Sequence, residues 1–363
     1  MSERPLVNVY DFEAEAALRL SPDVLDYYAG GALDEVTLCE NHAAYQRIPL
    51  YFRVLAGLRE RSLETTVLGQ RVSMPILVAP TAFHAMAHED GELATARASA
   101  QTGTLMVVST LSNTDVEDIS AASNGPLWFQ LYIYKDREAT RDLIARVEKT
   151  RCSAIMLTVD APLLGPRERD VRNRFTLPEG LSVKNLLGAG QGVVGKEAGG
   201  SGLASYVSSF LDPSISWKDV EWLQKITKLP LLIKGIVRAD DARRAVSMGV
   251  KGIVVSNHGG RQLDTSPATI EALPHVAKAV GDRAEVYVDG GVRRGVDVVK
   301  ALALGARAVF VGRPVLWGLA VDGERGVARV LDLLRNELEI AMWRFVCVSL
   351  DDIDSSLLRP DSK

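Results

Sequence analysis

Cysteine is scarce in this chain. Cys39, Cys152 and Cys347 stand far apart with no C-x-x-C pair, so neither a disulfide framework nor a metal site is indicated, and the odd count suits a reducing compartment. A strong charge of one sign is missing too. The formal net charge is −4 and no basic run occurs, which gives no reason to expect a nucleic-acid partner. No apolar run approaches the ~18 residues a membrane span needs, and the acidic opening MSERPLVNVYDFEAEAALRL lacks a signal-peptide core. No G-x-G-x-x-G opens a helix after a first strand, so a nicotinamide carrier is not implied. The chain ends Asp361-Ser362-Lys363, one leucine short of a peroxisomal S-K-L address. The expectation is a cytoplasmic protein that uses neither membrane nor nucleic acid.

What is present is a globular composition, 47% hydrophobic and 24% charged, over 363 residues. That length is generous for an ordinary domain but normal for a (β/α)8 barrel with additions. Eight short apolar runs, at 76–79, 105–108, 127–131, 154–159, 231–233, 252–255, 285–288 and 308–311, alternate with helical patterns such as 239–248 and 295–304. Repeated βα units imply parallel strands joined by right-handed crossovers. The count of eight favours a closed α/β barrel of the TIM type over an open doubly wound sheet. Residues 1–73 read as a helical extension, with helices at 11–20 and 22–29, Ser21 as the cap before Pro22, and Gly30-Gly31 as the stop. The barrel spans 74–320 and carries an insertion at about 178–213 that includes the glycine-rich stretch 188–202, expected to be a lid or disordered. A C-terminal helix at 327–344 lies within the last segment, 321–363, and the whole of 1–363 reads as one domain.

Every apolar run ends in polar chemistry, and in a barrel those ends converge on one face. The densest stretch is KGIVVSNHGGRQLD, residues 251–264. A buried strand gives way there to Ser256, His258, two glycines and Arg261, so that a base and a bidentate cation share one turn. Such a site suits a small anion that must lose a proton. VDGGVRRG (288–295) and VGRP (311–314) fit a phosphate, with glycine amides, a nearby helix N-terminus and the Arg293 and Arg313 countercharges as donors. Asp289 suits a sugar-like hydroxyl better than phosphate. Taken alone, GG-x-R serves many phosphate-binding barrels and leaves the identity of the phosphate ligand open.

SNHGGRQLD resembles the signature of the FMN-dependent 2-hydroxy acid oxidases and dehydrogenases, the glycolate and lactate oxidase family. DYYAGGA (26–32), APTA (79–82), QLY (130–132), LTVDAP (157–162), LGPRERD (164–170) and IKG (233–235) resemble further family motifs, in family order over nearly the whole chain. The resemblance implies FMN as cofactor. Pro80, Thr81, Ala82, Ser109, Gln130, Thr158, Lys234 and Ser256 would line the flavin, and Asp289, Gly290, Gly291, Arg293, Gly312 and Arg313 would hold its ribityl phosphate. Lys234 would sit by the pyrimidine edge, where a cation stabilises the anionic reduced flavin. His258 would be the catalytic base and Asp160 the acid that stabilises its imidazolium. Arg167 and Arg261 would bind the substrate carboxylate with Tyr27, and Tyr132 would contact the hydroxyl oxygen. Tyr28 reads as packing.

Leu111 stands where plant glycolate oxidases carry a tryptophan, so the resemblance implies room for lactate and longer 2-hydroxy acids. Phe83 and Leu164 would form the far wall. The membrane-bound mandelate dehydrogenases anchor through the region of the glycine-rich insertion, but large apolar side chains are missing there. The implied reaction is oxidation of (S)-2-hydroxy acids with molecular oxygen reduced to hydrogen peroxide, in a homotetramer or homo-octamer. A dehydrogenase using a quinone or another acceptor, and a non-redox phosphate-binding barrel, remain as alternatives. Hydride and carbanion routes are equally compatible with the residues.

Overall fold

A computed structural model describes residues 5–52, 54, 61–194 and 201–358. Two short strands, β1 (Thr65–Val67) and β2 (Gln70–Val72), form an antiparallel hairpin. Eight parallel strands follow: β3 (Ile76–Val78), β4 (Met106–Ser109), β5 (Leu127–Leu131), β6 (Cys152–Thr158), β7 (Leu231–Ile236), β8 (Gly252–Val255), β9 (Glu285–Asp289) and β10 (Ala308–Val311). They close into a barrel in the order β10-β3-β4-β5-β6-β7-β8-β9. Each coincides with one of the eight apolar runs within a few residues at either end.

Both faces of these strands are buried, which is why the runs are continuously apolar rather than alternating. One alternate set, including Leu77, Val107, Trp128, Met156, Leu232, Val254, Tyr287 and Phe310, packs inside the barrel. The Trp128, Tyr287 and Phe310 rings meet there at centroid distances of 5.6 to 6.2 Å. The other set meets the surrounding helices. Such layering makes the barrel a solid core and leaves only the strand ends to build a site.

The segment before the barrel is not wholly helical. Helices Val9–Arg19 and Pro22–Ala29 are where the pattern places them, although the Ser21 side chain makes no capping bond. A third helix, Val36–Gln46, was not legible. The β1–β2 hairpin replaces helix at the end of the extension. Its Val67 and Val72 join the inner barrel cluster, and Leu68 N donates to Glu285 Oε2 at 2.9 Å, so it plugs the barrel at the end opposite the site. Three-residue strands with exposed polar partners carry too little periodicity to be read.

The C-terminal helix begins earlier than expected. It runs Arg313–Phe345, broken by non-helical backbone at Asp322 and Gly323, so that its first part is the helix that follows β10. The insertion after β6 contains a helix, Gly202–Phe210, fastened at both ends. Gly202 N donates to Phe175 O (2.9 Å), Asp212 N to Ile133 O (3.0 Å) and Lys135 N to Phe210 O (2.9 Å). Residues 195–200 of the glycine-rich stretch lie outside the described residues.

Candidate active site

One cavity opens at the C-terminal ends of the strands. Its phosphate-like end is built by the β9 and β10 turns. Gly290 (φ 90°) and Gly291 (φ 86°) both lie in the left-handed region, and a Cβ on Gly291 would stand 1.9 Å from Asn41 O. Only glycine fits there. Arg293, buried, and Arg313, half-buried, stand beside them, and withdrawal from water pushes both guanidiniums below their ordinary range, Arg313 well below it. Arg293 donates to Val292 O, and Arg313 to the Tyr28, Gly259 and Gly30 carbonyls. Among the described residues no carboxylate pairs with either. Two cations drawn away from water with so little compensation call for an anion. The structure offers two helix N-termini near this end, and only one is open. Arg294 N and Gly295 N are taken by Asp297 and Glu337, so the helix after β9 is already capped, and the helix opening at Arg313 faces the cavity instead.

The floor carries a line of polar side chains across three strands. Gln130 Oε1 accepts from Ser109 Oγ (3.2 Å), and Gln130 Nε2 donates to Thr158 Oγ1 (3.0 Å). Pro80, Thr81 and Ala82 border it, with Lys234 and Asp289. Lys234 Nζ is 2.9 Å from Ser256 Oγ and 3.2 Å from Asp289 Oδ2. Burial opposes its charge, but Asp289 and Asp160 hold its pKa above the ordinary value. Asp289 therefore has two duties: one oxygen holds Lys234, while Oδ1 is buried without a partner.

His258 faces the same cavity, on a turn with three successive left-handed residues: His258 (φ 59°), Gly259 (φ 65°) and Gly260 (φ 75°). A histidine at positive φ is strained, and such strain persists where the surroundings fix it. They do so here. His258 N donates to Ser256 Oγ (3.1 Å). Asn257 and Asn41 exchange paired amide bonds of 2.9 and 2.8 Å, and Asn257 Oδ1 also accepts from Gly260 N. Asn41 was not foreseen, because it lies 216 residues from its partner.

The His258 Nδ1 lies 2.8 Å from Asp160 Oδ1. Burial would raise the Asp160 carboxyl, but His258 and Lys234 outweigh it and hold its pKa below the ordinary value. An ionised carboxylate can only accept, so Nδ1 carries the hydrogen and Nε2 keeps its lone pair. Burial lowers the His258 pKa, against the opposing pull of Asp160. The ring is thus a neutral base aimed by an anion. Asp160 and Ser256 stand one layer behind the cavity wall, in contact with His258 and Lys234.

Tyr27, Tyr132, Arg167 and Arg261 complete the polar wall. Tyr27 stacks on Phe175 at 4.3 Å, and the Arg261 guanidinium lies 5.0 Å from the Tyr27 ring centroid. Arg167 is buried with its pKa lowered by burial and by Arg261 to about 10. Asp170, a buried acid that sequence reasoning passed over, has Oδ2 3.9 Å from Arg167 Nη1. Tyr28 packs, as expected, edge-on to Trp317 and donates to Phe83 O (2.6 Å), yet it also lines the cavity. The apolar wall is Leu111, Leu164, Leu203, Val207 and Leu211. Phe83, expected there, is instead fully buried in the core. Leu203, Val207 and Leu211 come from the insertion, where a lid or disorder was expected; which of its residues would face the site had no signal in the sequence.

A barrel whose strand-end cavity holds a neutral, carboxylate-aimed histidine beside a cationic, glycine-lined cradle defines an enzyme site that takes a proton from an anionic substrate next to a bound phosphate group. The model of the FMN-dependent dehydrogenase family matches residues 16–360. An L-lactate oxidase of Nostoc sp. is 51% identical over 97% of this chain and 98% of its own length. The 2-hydroxyacid oxidase 1 of Homo sapiens is 51% identical over 98% and 96%. A mandelate oxidase crystal structure with (S)-4-hydroxymandelic acid superposes with a TM-score of 0.93 at 42% identity, covering 98% of both chains. The chain belongs to the FMN-dependent 2-hydroxy acid oxidase family, and its cofactor is FMN. The residues present fit that group: one buried and one half-buried guanidinium and a glycine cradle for the phosphate, and the orphaned Asp289 Oδ1 for a hydroxyl.

Proposed function

We propose that this protein oxidises (S)-2-hydroxy acids to 2-oxo acids, preferring L-lactate and longer chains to glycolate, and passes the electrons to oxygen to give hydrogen peroxide. The observation that carries this reading is His258, held by Asp160 and facing a cavity shared by arginines and an apolar wall. Arg261 and Arg167 bind the substrate carboxylate, and Tyr27 adds a donor. Tyr132 contacts the hydroxyl oxygen. His258 Nε2 takes a proton from the substrate, and Asp160 stabilises the imidazolium that results. FMN, when bound, supplies the two-electron acceptor. Ser109, Gln130, Thr158 and Pro80–Ala82 line its ring, Lys234 sets a fixed positive charge against it, and the β9 and β10 turns hold its phosphate. The chain works as a single domain in a homotetramer or homo-octamer.

Oxygen uptake and peroxide release by the purified protein, across glycolate, lactate, longer 2-hydroxy acids and mandelate, test this reading. Anaerobic flavin reduction without oxygen uptake would make it a dehydrogenase for another acceptor. A protein that stays colourless with added FMN would be neither.

Rate should depend on pH through His258. Its lowered pKa keeps the base neutral, so flavin reduction holds its plateau as pH falls past the ordinary imidazole value of ~6.5 and declines only below it. Asp160→Asn removes the anion that raises this pKa. The midpoint should therefore move further down, while the plateau falls by ~10-fold or more because the imidazolium loses its partner. Stopped-flow pH profiles check both. A midpoint that rises in Asp160→Asn contradicts the assignment.

Leu111 bears on chain length. It is buried and borders the cavity. Each substrate CH2 that packs there gains ~0.8 kcal/mol, about fourfold in kcat/KM. Leu111→Trp should remove that space and shift the lactate-to-glycolate ratio of kcat/KM toward glycolate. A wild type that prefers glycolate, or an unchanged ratio in the variant, removes Leu111 from specificity.

A further inference from the structure

The chemistry above leaves a second buried histidine unused. His84 is 1% exposed and stands in a 3-10 turn after β3. Its Nε2 is 2.5 Å from Thr81 Oγ1, and its Nδ1 is 2.9 Å from Thr95 Oγ1 on helix Gly91–Gln101. Glu92, fully buried on the same helix, accepts from His84 N (3.2 Å), Asn113 N (2.9 Å) and Thr114 Oγ1 (3.1 Å). Helix Gly91–Gln101 thus clamps the loop after β3 that holds Thr81 and the loop after β4 that holds Leu111. Of this network, Thr81 is the member that lines the cavity. Its methyl lies 3.2 Å from where a Cβ on Gly312 would stand, so it also closes on the phosphate cradle.

We propose that His84 is a positioning residue for FMN, fixing the Thr81 hydroxyl at the cofactor cavity while Thr95 and Glu92 fix His84. Burial holds the imidazole neutral, with Glu92 opposing. A neutral ring has one N–H and one lone pair, which two hydroxyl partners satisfy. The bond to Thr81 stops its hydroxyl from turning, so its remaining hydrogen-bonding capacity keeps one direction. Packing alone does not require this arrangement, since an apolar side chain of similar reach would occupy the site without ordering the Thr81 hydroxyl.

The inference rests on the cavity being the FMN site, and the experiment separates the two. FMN is titrated into the deflavinated protein, and affinity and the visible absorption of the bound flavin are recorded for wild type, His84→Phe, His84→Gln, Thr81→Val and the Phe/Val double variant. His84→Phe should bind FMN roughly tenfold more weakly, the scale of one buried hydrogen bond, with a shifted flavin band. His84→Gln, which keeps a donor and an acceptor, should stay within about twofold of wild type. Thr81→Val should reproduce the His84→Phe change, and the double variant should be no worse than either single one, because both remove the same contact. Wild-type affinity and spectrum in His84→Phe, or losses that multiply in the double variant, overturn the proposal. If His84→Phe does not fold, Thr81→Val decides: wild-type affinity and spectrum there overturn it as well. A wild type that takes up no FMN defeats the proposed function instead.

Discussion

His258→Gln should retain FMN and slow flavin reduction by ~10²–10⁴-fold, the range for removal of a general base. The retention follows from position. The phosphate cradle belongs to the β9 and β10 turns, whereas His258 stands on the turn after β8. The loss follows from the ring geometry. With Nδ1 committed to Asp160 at 2.8 Å, the lone pair on Nε2 is what the substrate meets, and a glutamine amide offers no basic nitrogen. Glutamine still reaches Asp160 with its amide hydrogens, so the turn and its Ser256 and Asn257 contacts should hold. Rapid mixing with lactate under anaerobic conditions measures the step directly. Reduction at the wild-type rate would mean that the base is another group.

Arg261→Lys should cost about 10²-fold in kcat/KM, divided between a higher KM and a lower kcat, because positioning as well as binding is lost. Arg261 Nη1 is spent on the end of helix Pro22–Ala29, where it donates to Tyr27 O (2.6 Å) and Gly30 O (2.9 Å). That anchor leaves the rest of the guanidinium fork to meet a carboxylate. A lysine ammonium carries one nitrogen in place of the fork and cannot serve the helix end and the substrate in the same geometry. Steady-state kinetics with lactate check the split. An unchanged profile would assign the carboxylate to Arg167, the buried guanidinium at that wall.

The barrel was legible because its strands are buried on both faces, so each is a short uninterrupted apolar run such as 252–255 bounded by polar turns. The site was legible for a related reason. Strand-end motifs are local, and SNHGGRQLD or VDGGVRRG brings its residues together within one turn. What the sequence determined by itself is therefore the fold class and which residues stand at the strand ends, while the cofactor followed from the family resemblance of those motifs.

Contacts between distant segments had no such signal and were decided by the tertiary structure. Asn41 meets Asn257, Glu92 joins His84 to Asn113, and Leu203 and Val207 reach the cavity from the insertion only because helix Gly202–Phe210 folds back over the strand ends. The His258 backbone conformation belongs with these. Its positive φ is held by Ser256 and by the Asn41–Asn257 pair, and no local preference of histidine would select it. The charge states follow the same rule. A neutral His258 beside an ionised Asp160 depends on burial and on the nearness of Lys234, quantities that exist only once the eight strand ends converge.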